Sequence, residues 1–297
     1  MGRGDLSDEE WARLEPHSPA NRGQGGRWQC HRRVINGILF RQRTGLPRRE
    51  LPSRFGKWKT VHDRHRRWSA DGTGERIPPA VQADADAEGR IDWSMGSVDS
   101  TACRAHQHAA GASTRAHSGP EDFRSAKETG ASSLRRGPGT LARRAHLQDP
   151  PRRGGRAPPA RVCHHARPVG DAPQMIPVLE EIRVPRQAGG RPRTRPDHVG
   201  GDKAYSSRRN RRHLPRRQIK HTIPEPRDQR ANRQRRGSKG GRPTGFGKTI
   251  YQRRNEVERA INRLKTFRAI ATRYDKRAYV FHGTVTAGAI RLWLRPG

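Results

Sequence analysis

Apolar sequence is scarce in this chain: hydrophobic residues make up 30% of its 297 residues, against roughly 45–50% in ordinary globular domains. A core running the full length is not expected, so the apolar residues must be located one by one. No run approaches the ~20 apolar residues that a spanning helix needs. The opening MGRGDLSDEEW turns acidic after one arginine, unlike a secretory leader. Neither a membrane chain nor a secreted one is expected. Cysteine is rare as well: Cys30, Cys103 and Cys163 cannot form a disulfide framework, which points to the cytoplasm. Acid is in short supply, with 28 Asp and Glu against 63 Lys and Arg, a net charge of +35. Such a charge repels itself unless a polyanion neutralises it. The excess is mostly arginine, whose fork grips phosphate. Nucleic acid is the expected partner, and the chain would then associate with the nucleoid.

Order is concentrated in separate stretches. Ser7 before Asp8, Glu9 and Glu10 predicts a capped helix over residues 5–14. Val34, Ile35, Ile38 and Leu39 predict a second helix, closed by Gly45-Leu46-Pro47. One or two helical turns over residues 49–55 lead to an amphipathic helix carrying Trp58, Val61, His65 and Trp68. Cations flank that last helix, Lys57, Lys59, Arg64 and Arg67 among them. The pattern fits a helix-turn-helix whose last helix meets DNA, with Thr60 also on it. A helical bundle with a basic surface fits it as well. A connector helix is expected over residues 79–88, then a strand from Ile91 to Val98 with Asp99 at its end. A helix over 172–182, a strand at His198–Gly201 ending in Asp202, a helix capped by Ser206 or Ser207, and a strand over 218–224 follow. Residues 225–249 read as a basic, Gly-rich loop; its GSKGGRPTG lacks phosphate-loop spacing and suits contact with DNA. Arg268–Tyr274 and a closing helix over 279–294 complete the chain.

Residues 114–170 differ in kind. These 57 residues hold 11 Arg, 8 Ala, 7 Pro and 7 Gly, but no Ile, Met, Trp or Tyr. Neither strand alternation nor a helical period is visible, and the prolines oppose a sheet. Disorder is expected here. Translation in a shifted frame explains the composition, with the original frame restored near Gly170-Asp171. The gene's other two frames would then encode Val-, Ile-, Leu- and Thr-rich sequence; finding none would refute the idea.

The stretch Tyr251–Lys265, YQRRNEVERAINRLK, predicts one helix without Gly or Pro. Val257, Ile261 and Leu264 form its apolar stripe. Tyr251, Arg254, Glu258, Asn262 and Lys265 share a second face. Alone, that face reads as a solvated Arg254–Glu258 pair. Three carboxylates nonetheless stand out by context: Asp99 and Asp202 after strands, Glu258 on a helix. Phosphoryl transfer on DNA commonly uses two divalent metals held by such oxygens, although among 28 acids three such positions also arise by chance. Cys103, His106 and His108 lack a further ligand at zinc spacing, and Cys163-His164-His165 lies in the low-complexity block.

These residues carry a family resemblance. Tyr251, Arg254, Glu258 and Lys265 match the signature Tyr-x2-Arg-x3-Glu-x6-Lys of bacterial insertion-sequence transposases of the DDE type, in the group called insertion sequence five. GGDKAYSS around Asp202, SVDSTACRAHQH around Asp99, and ILFRQRTGLP with LPSRFGKWKTVHDRHRRW resemble its other motifs. The resemblance spans about residues 3–113 and 171–296. It implies an α/β chain: a helix-turn-helix region over 1–78, a connector and first catalytic strand over 79–113, the disordered block over 114–170, and the rest of an RNase H-like domain over 171–297. The domain's central strands are expected to be missing or disordered. The resemblance also implies Asp99, Asp202 and Glu258 binding Mg²⁺ (or Mn²⁺), with Tyr251, Arg254 and Lys265 positioning DNA. The partners would be double-stranded DNA, as terminal repeats and as target, and a second copy in a homodimer on paired ends. Departures from the pattern predict an inactive copy. Arg48 and Gly74 stand where relatives tend to have Trp, Gly247 where Asp is common, and Pro78-Pro79 fall where helix is expected. The alternative is a non-enzymatic DNA-binding remnant that competes for element ends.

Overall fold

The computed structural model describes residue 2, residues 4–19, 30–101, 103–109 and 171–295, and the backbone of 144–148 and 161–162. The expected capping box is complete at α1 (Asp8–Leu14). The Ser7 hydroxyl accepts from the Glu10 N–H at 3.1 Å, and the Glu10 carboxylate accepts from the Ser7 N–H at 2.8 Å. α2 (His31–Thr44) ends on Gly45, whose φ of 71° a side chain would resist. Two 3₁₀ turns, Arg48–Glu50 and Ser53–Phe55, lead into α3 (Trp58–Ala70). The connection from Gly45 to Lys57 is longer than the three- or four-residue turn of a compact helix-turn-helix.

α4 (Thr73–Ala87) starts earlier than expected and runs through Pro78 and Pro79. The prolines do not interrupt it, because Ile77, Val81 and Ala85 bury one face, and packing can outweigh the ~3 kcal/mol that an interior proline costs. Gly74, on the same helix, borders an apolar cavity of about 60 Å³ shared with Trp68, Ile77 and Ile290.

The main sheet contains β1 (Asp92–Asp99), β3 (Arg144–Gln148), β4 (Arg161–Val162), β5 (His198–Gly201) and β6 (Lys220–Thr222). Its order is β4-β3-β1-β5-β6. β3 runs antiparallel to β1 and β4, while β5 and β6 run parallel to β1. Elsewhere β2 (Arg104–Ala105) pairs with β7 (Thr272–Arg273). β3 and β4 correct the expectation that the central strands are missing: both lie within 114–170, and β3 pairs with β1 from Gly96↔Leu147 to Asp99↔Arg144. The physical reason is that ladder bonds come from the backbone, and proline-free windows as short as these suffice to form them. The rest of that block, Cys163 included, lies outside the described residues.

Around the sheet stand α5 (Asp171–Glu180), α6 (Arg208–Arg216), α7 (Arg227–Arg235), α8 (Lys248–Gln252), α9 (Asn255–Lys265), α10 (Arg268–Ala271) and α11 (Ala278–Leu294). Ser207 caps α6, its hydroxyl accepting from the Asn210 N–H at 3.2 Å. The Gly-rich loop expected over 225–249 is only partly loop, since α7 forms within it.

One apolar cluster joins Leu6, just before α1, and Leu14 and Val81 of the N-terminal helices to Val98 and Val199 of the sheet and to Ile290 and Trp293 of α11. α11 packs on α2, α3 and α4. Its Arg291 forms an ion pair with Glu10 in which both side chains are buried, and donates to the Asp5 carbonyl at 3.3 Å. Arg13 donates to the Leu294 carbonyl at 3.4 Å. Among the described residues, no helix is long and apolar enough to cross a membrane.

Candidate active site

The register of β1 and β5 brings the first two carboxylates together. Val98 lies opposite Gly201 in the parallel pairing, so the next residue on each strand is an aspartate, Asp99 and Asp202. Strand and partner come close because Gly200 has no side chain: a Cβ there would meet the Met95 Cε at 2.6 Å. The Asp202 carboxylate accepts from the Ala204 N–H at 2.9 Å and caps the 3₁₀ turn Lys203–Tyr205. Asp99 accepts from the Ser100 N–H at 2.9 Å.

Glu258 arrives on α9, which packs against β1. Val257, Ala260, Ile261 and Leu264 form its buried face, as the sequence stripe predicts. Beside it, Cys103 of the segment after Asp99 packs on Leu264 and Ile270. Arg254 stands between the carboxylates, its guanidinium 2.9 Å from Glu258 and 3.8 Å from Asp99. Burial raises the Asp99 carboxyl above the ordinary range; the Ser100 N–H and Arg254 lower it, while Asp202 and Glu258 push it further up. Asp99 thus feels both other carboxylates, and the Arg254 guanidinium is the counter-charge of Asp99 and Glu258.

The single helix expected from Tyr251 to Lys265 is divided. α8 ends at Gln252 and α9 begins at Asn255. Between them the N–H groups of Arg253, Arg254, Glu256 and Val257 bond three residues back instead of four, the tighter 3₁₀ pattern. The two arginines at the break reach different ends of β1. Arg253 meets Asp92 at 2.7 Å and the Ser94 hydroxyl at 3.3 Å, while Arg254 meets Asp99. These ion pairs override a local sequence that favours continuous helix. Tyr251 consequently lies on α8, its ring 5.8 Å from the Arg254 guanidinium and 5.0 Å from the ring of exposed Phe246. Lys265 ends α9, seven residues beyond Glu258 and so roughly 10 Å along its axis.

Supports that the sequence did not single out hold the Asp202 loop. Buried Asn210 donates to the Tyr205 carbonyl at 2.9 Å. Gln229 donates to the Ser206 carbonyl at 2.8 Å, and the Ser206 hydroxyl donates back to it at 2.8 Å. Only a long-range fold could identify these residues, because amide side chains carry no motif of their own.

Of the cations expected at DNA on α3 and at its start, Lys57, Lys59 and Arg67 are exposed and Thr60 is half-buried. Arg64 is different: its side chain is buried, its guanidinium stacks 5.4 Å from the Trp68 ring, and it contacts His31 at 3.3 Å. That placement takes Arg64 out of the surface set.

Oxygen donors of this kind and number suit a divalent cation, and the mutual repulsion at Asp99 is what a cation would relieve. Among the described residues, no three His, Cys, Asp or Glu side chains stand close enough to share one ion; Arg254 fills the gap between Asp99 and Glu258.

Comparison with known sequences gives two family matches. Residues 6–78 match a family described as "transposase of IS4/5 family", and residues 157–291 match one described as "Transposase DDE domain". The second match begins inside the low-complexity block and includes Asp202 and Glu258; Asp99 lies between the two. The chain is 36% identical over 108 residues to the uncharacterized protein y4sN of Sinorhizobium fredii, covering 36% of this chain and 82% of that protein. It is 33% identical over 112 residues to an uncharacterized 16.2 kDa protein of insertion element IS402 from Burkholderia cepacia, covering 35% and 76%.

Proposed function

Because this chain belongs to the IS4/5 family of DDE transposases, we propose that it binds the ends of an insertion element and acts on them through Asp99, Asp202 and Glu258. The reading is carried by the parallel register that sets Asp99 beside Asp202, with Glu258 joined to Asp99 through Arg254. An RNase H-like fold for the catalytic part is supported by the sheet order and by its mixed directions, with the carboxylates at the carboxyl ends of neighbouring strands. Asp99, Asp202 and Glu258 would hold Mg²⁺ or Mn²⁺ only once Arg254 has left the gap between Asp99 and Glu258; the ion, when bound, would supply charge stabilisation for phosphodiester cleavage. Arg254 and Lys265 offer cations to the phosphates beside the cleaved bond, and Tyr251 a phenol that can donate to a phosphate oxygen. In that role Arg254 exchanges a carboxylate partner for phosphate. Residues Lys57, Lys59 and Arg67 would meet the terminal repeat, and a homodimer would hold paired ends.

The test is Mg²⁺-dependent cleavage of DNA bearing the element's terminal repeats. Asp202→Ala and Glu258→Ala should each abolish it; undiminished cleavage by both variants would refute the assignment. A second reading, an inactive copy that binds ends and competes for them, is favoured by the guanidinium standing between Asp99 and Glu258. It predicts an end-specific gel shift by the full chain without cleavage, and equal affinity for unrelated DNA would count against it.

A further inference from the structure

The sheet edge that holds the carboxylates also holds a basic helix. β6 runs parallel to β5, with Gly200 opposite Thr222, so both strands end at the same edge. The chain leaves β6 through Ile223–Pro226 and enters α7 directly. α7 is then tied to the Asp202 loop: Gln229 bonds both the hydroxyl and the carbonyl of Ser206, four residues after Asp202. Arg211 ties the same Ser206 hydroxyl to the Ile223 carbonyl at 2.9 and 3.0 Å. Arg233 pairs with Glu225 through two contacts of 3.1 and 3.2 Å.

Gln229 and Arg233 mark the docked face of α7. With about 100° per residue, Arg227 and Arg235 fall on the opposite face and Arg230 on its flank. None of the residues of α7 is buried. Exposed Arg236, Lys239 and Arg242 continue the surface beyond its end. Among the described residues, no carboxylate forms an ion pair with Arg227, Arg230, Arg235 or those three. A helix that buries no apolar side chain gains little from packing, and concentrated unneutralised guanidinium is complementary to a row of phosphates.

We propose that α7 and the turn after it are a phosphate-tracking surface that grips duplex DNA flanking the bond to be cleaved, reading charge and not base sequence. The proposal rests on the transposase reading above. The experiment uses the full chain and a labelled duplex of arbitrary sequence, without divalent cation, and measures affinity against salt by fluorescence anisotropy. The triple substitution Arg227→Ala, Arg230→Ala, Arg235→Ala should lower the slope of log affinity on log salt by about 0.9 per lost contact, up to ~2.7 in all. Lysine at the same three positions should keep the slope. The control is Arg183→Ala, Arg186→Ala, Arg191→Ala, which removes equal charge from exposed positions before β5, at the opposite edge. It should leave the slope near that of the unmodified chain.

An unchanged slope in the α7 variant, or equal losses in both triples, would overturn the proposal while leaving the transposase reading intact. No salt-dependent binding by the unmodified chain would overturn both. If circular dichroism shows that the alanine triple does not fold, Arg230→Ala and Arg235→Ala singly should each lower the slope by about 0.9, and no change in either would overturn the proposal.

Discussion

Glu10→Ala should destabilise the whole molecule, although residue 10 stands far in sequence from the sheet and from α11. Glu10 and Arg291 are both buried, with side chains 6% and 8% exposed. Removing one member of such a pair leaves an uncompensated charge in the interior, at a cost of ~3–5 kcal/mol. The same substitution breaks the capping box of α1, in which Glu10 accepts from the Ser7 N–H; a lost cap costs ~1 kcal/mol. The sum, ~4–6 kcal/mol, is a large share of the ~5–15 kcal/mol that holds a typical fold together. At ~2–4 °C per kcal/mol for chains of this order of size, Tm should fall by about 10 °C or more, read from far-ultraviolet circular dichroism. Fluorescence from Trp11 and Trp293 should shift in the same transition, because both sit at this junction. Replacing the pair together, Glu10→Leu with Arg291→Leu, should recover most of the loss, since an apolar pair removes the desolvation penalty. The argument fails if Glu10→Ala costs under ~1 kcal/mol, or if the double substitution is as damaging as the single one.

Three further outcomes are expected. Gly74→Ala should stabilise by about 1 kcal/mol, from helix propensity and partial filling of the cavity; its Cβ would meet only ordinary contacts, the nearest being the Trp68 carbonyl oxygen at 3.5 Å, and a lower Tm would show the cavity to be closed. Asp99→Asn should raise Tm at neutral pH and lose that advantage in acid. The Asp99 carboxyl is raised in the folded state chiefly by burial, so the native form binds the proton more readily and its stability falls as pH rises through that range; a pH-independent difference would contradict this. His65 is buried, and burial pushes its imidazole down to about 4 from 6.5. The unfolded chain therefore takes up a proton that the native form refuses, and stability should fall as pH drops from about 6.5 towards 4. His65→Leu should lessen the slope of Tm over that window without abolishing it, since His31, His62, His198, His213 and His221 are lowered by burial too; an unchanged slope would refute it.

What could be read from the sequence was local. The α1 capping box, the glycine after α2, the stripe of α9 and the ends of β1 and β5 are each set by residues within a few positions of one another. Asp99 and Asp202 could be picked out as strand-end acids, but their adjacency depends on a strand register between segments about a hundred residues apart. The break at Arg253 and Arg254 was hidden for the same reason: its cause is Asp92, Ser94 and Asp99 on a distant strand. β3 was overlooked because the alternation of RAHLQ lasts only five residues inside an Arg- and Pro-rich block, and its pairing rests on backbone groups. α7 was hidden because it has no apolar stripe and docks through one glutamine and one paired arginine. Arg64 looked like its exposed neighbours, and only Trp68 and His31 distinguish it.

α11 has a consequence for synthesis on the ribosome. It covers the apolar faces of α2, α3 and α4, yet it is made long after them. At ~5–20 residues per second, the N-terminal helices wait on the order of ten seconds or more for their cover, exposing Val34, Ile38 and Trp68 to chaperones and proteases meanwhile. A product cut short before residue 278 would leave those helices permanently uncovered. The helices that carry Lys57, Lys59 and Arg67 therefore depend for their cover on a segment made about two hundred residues later.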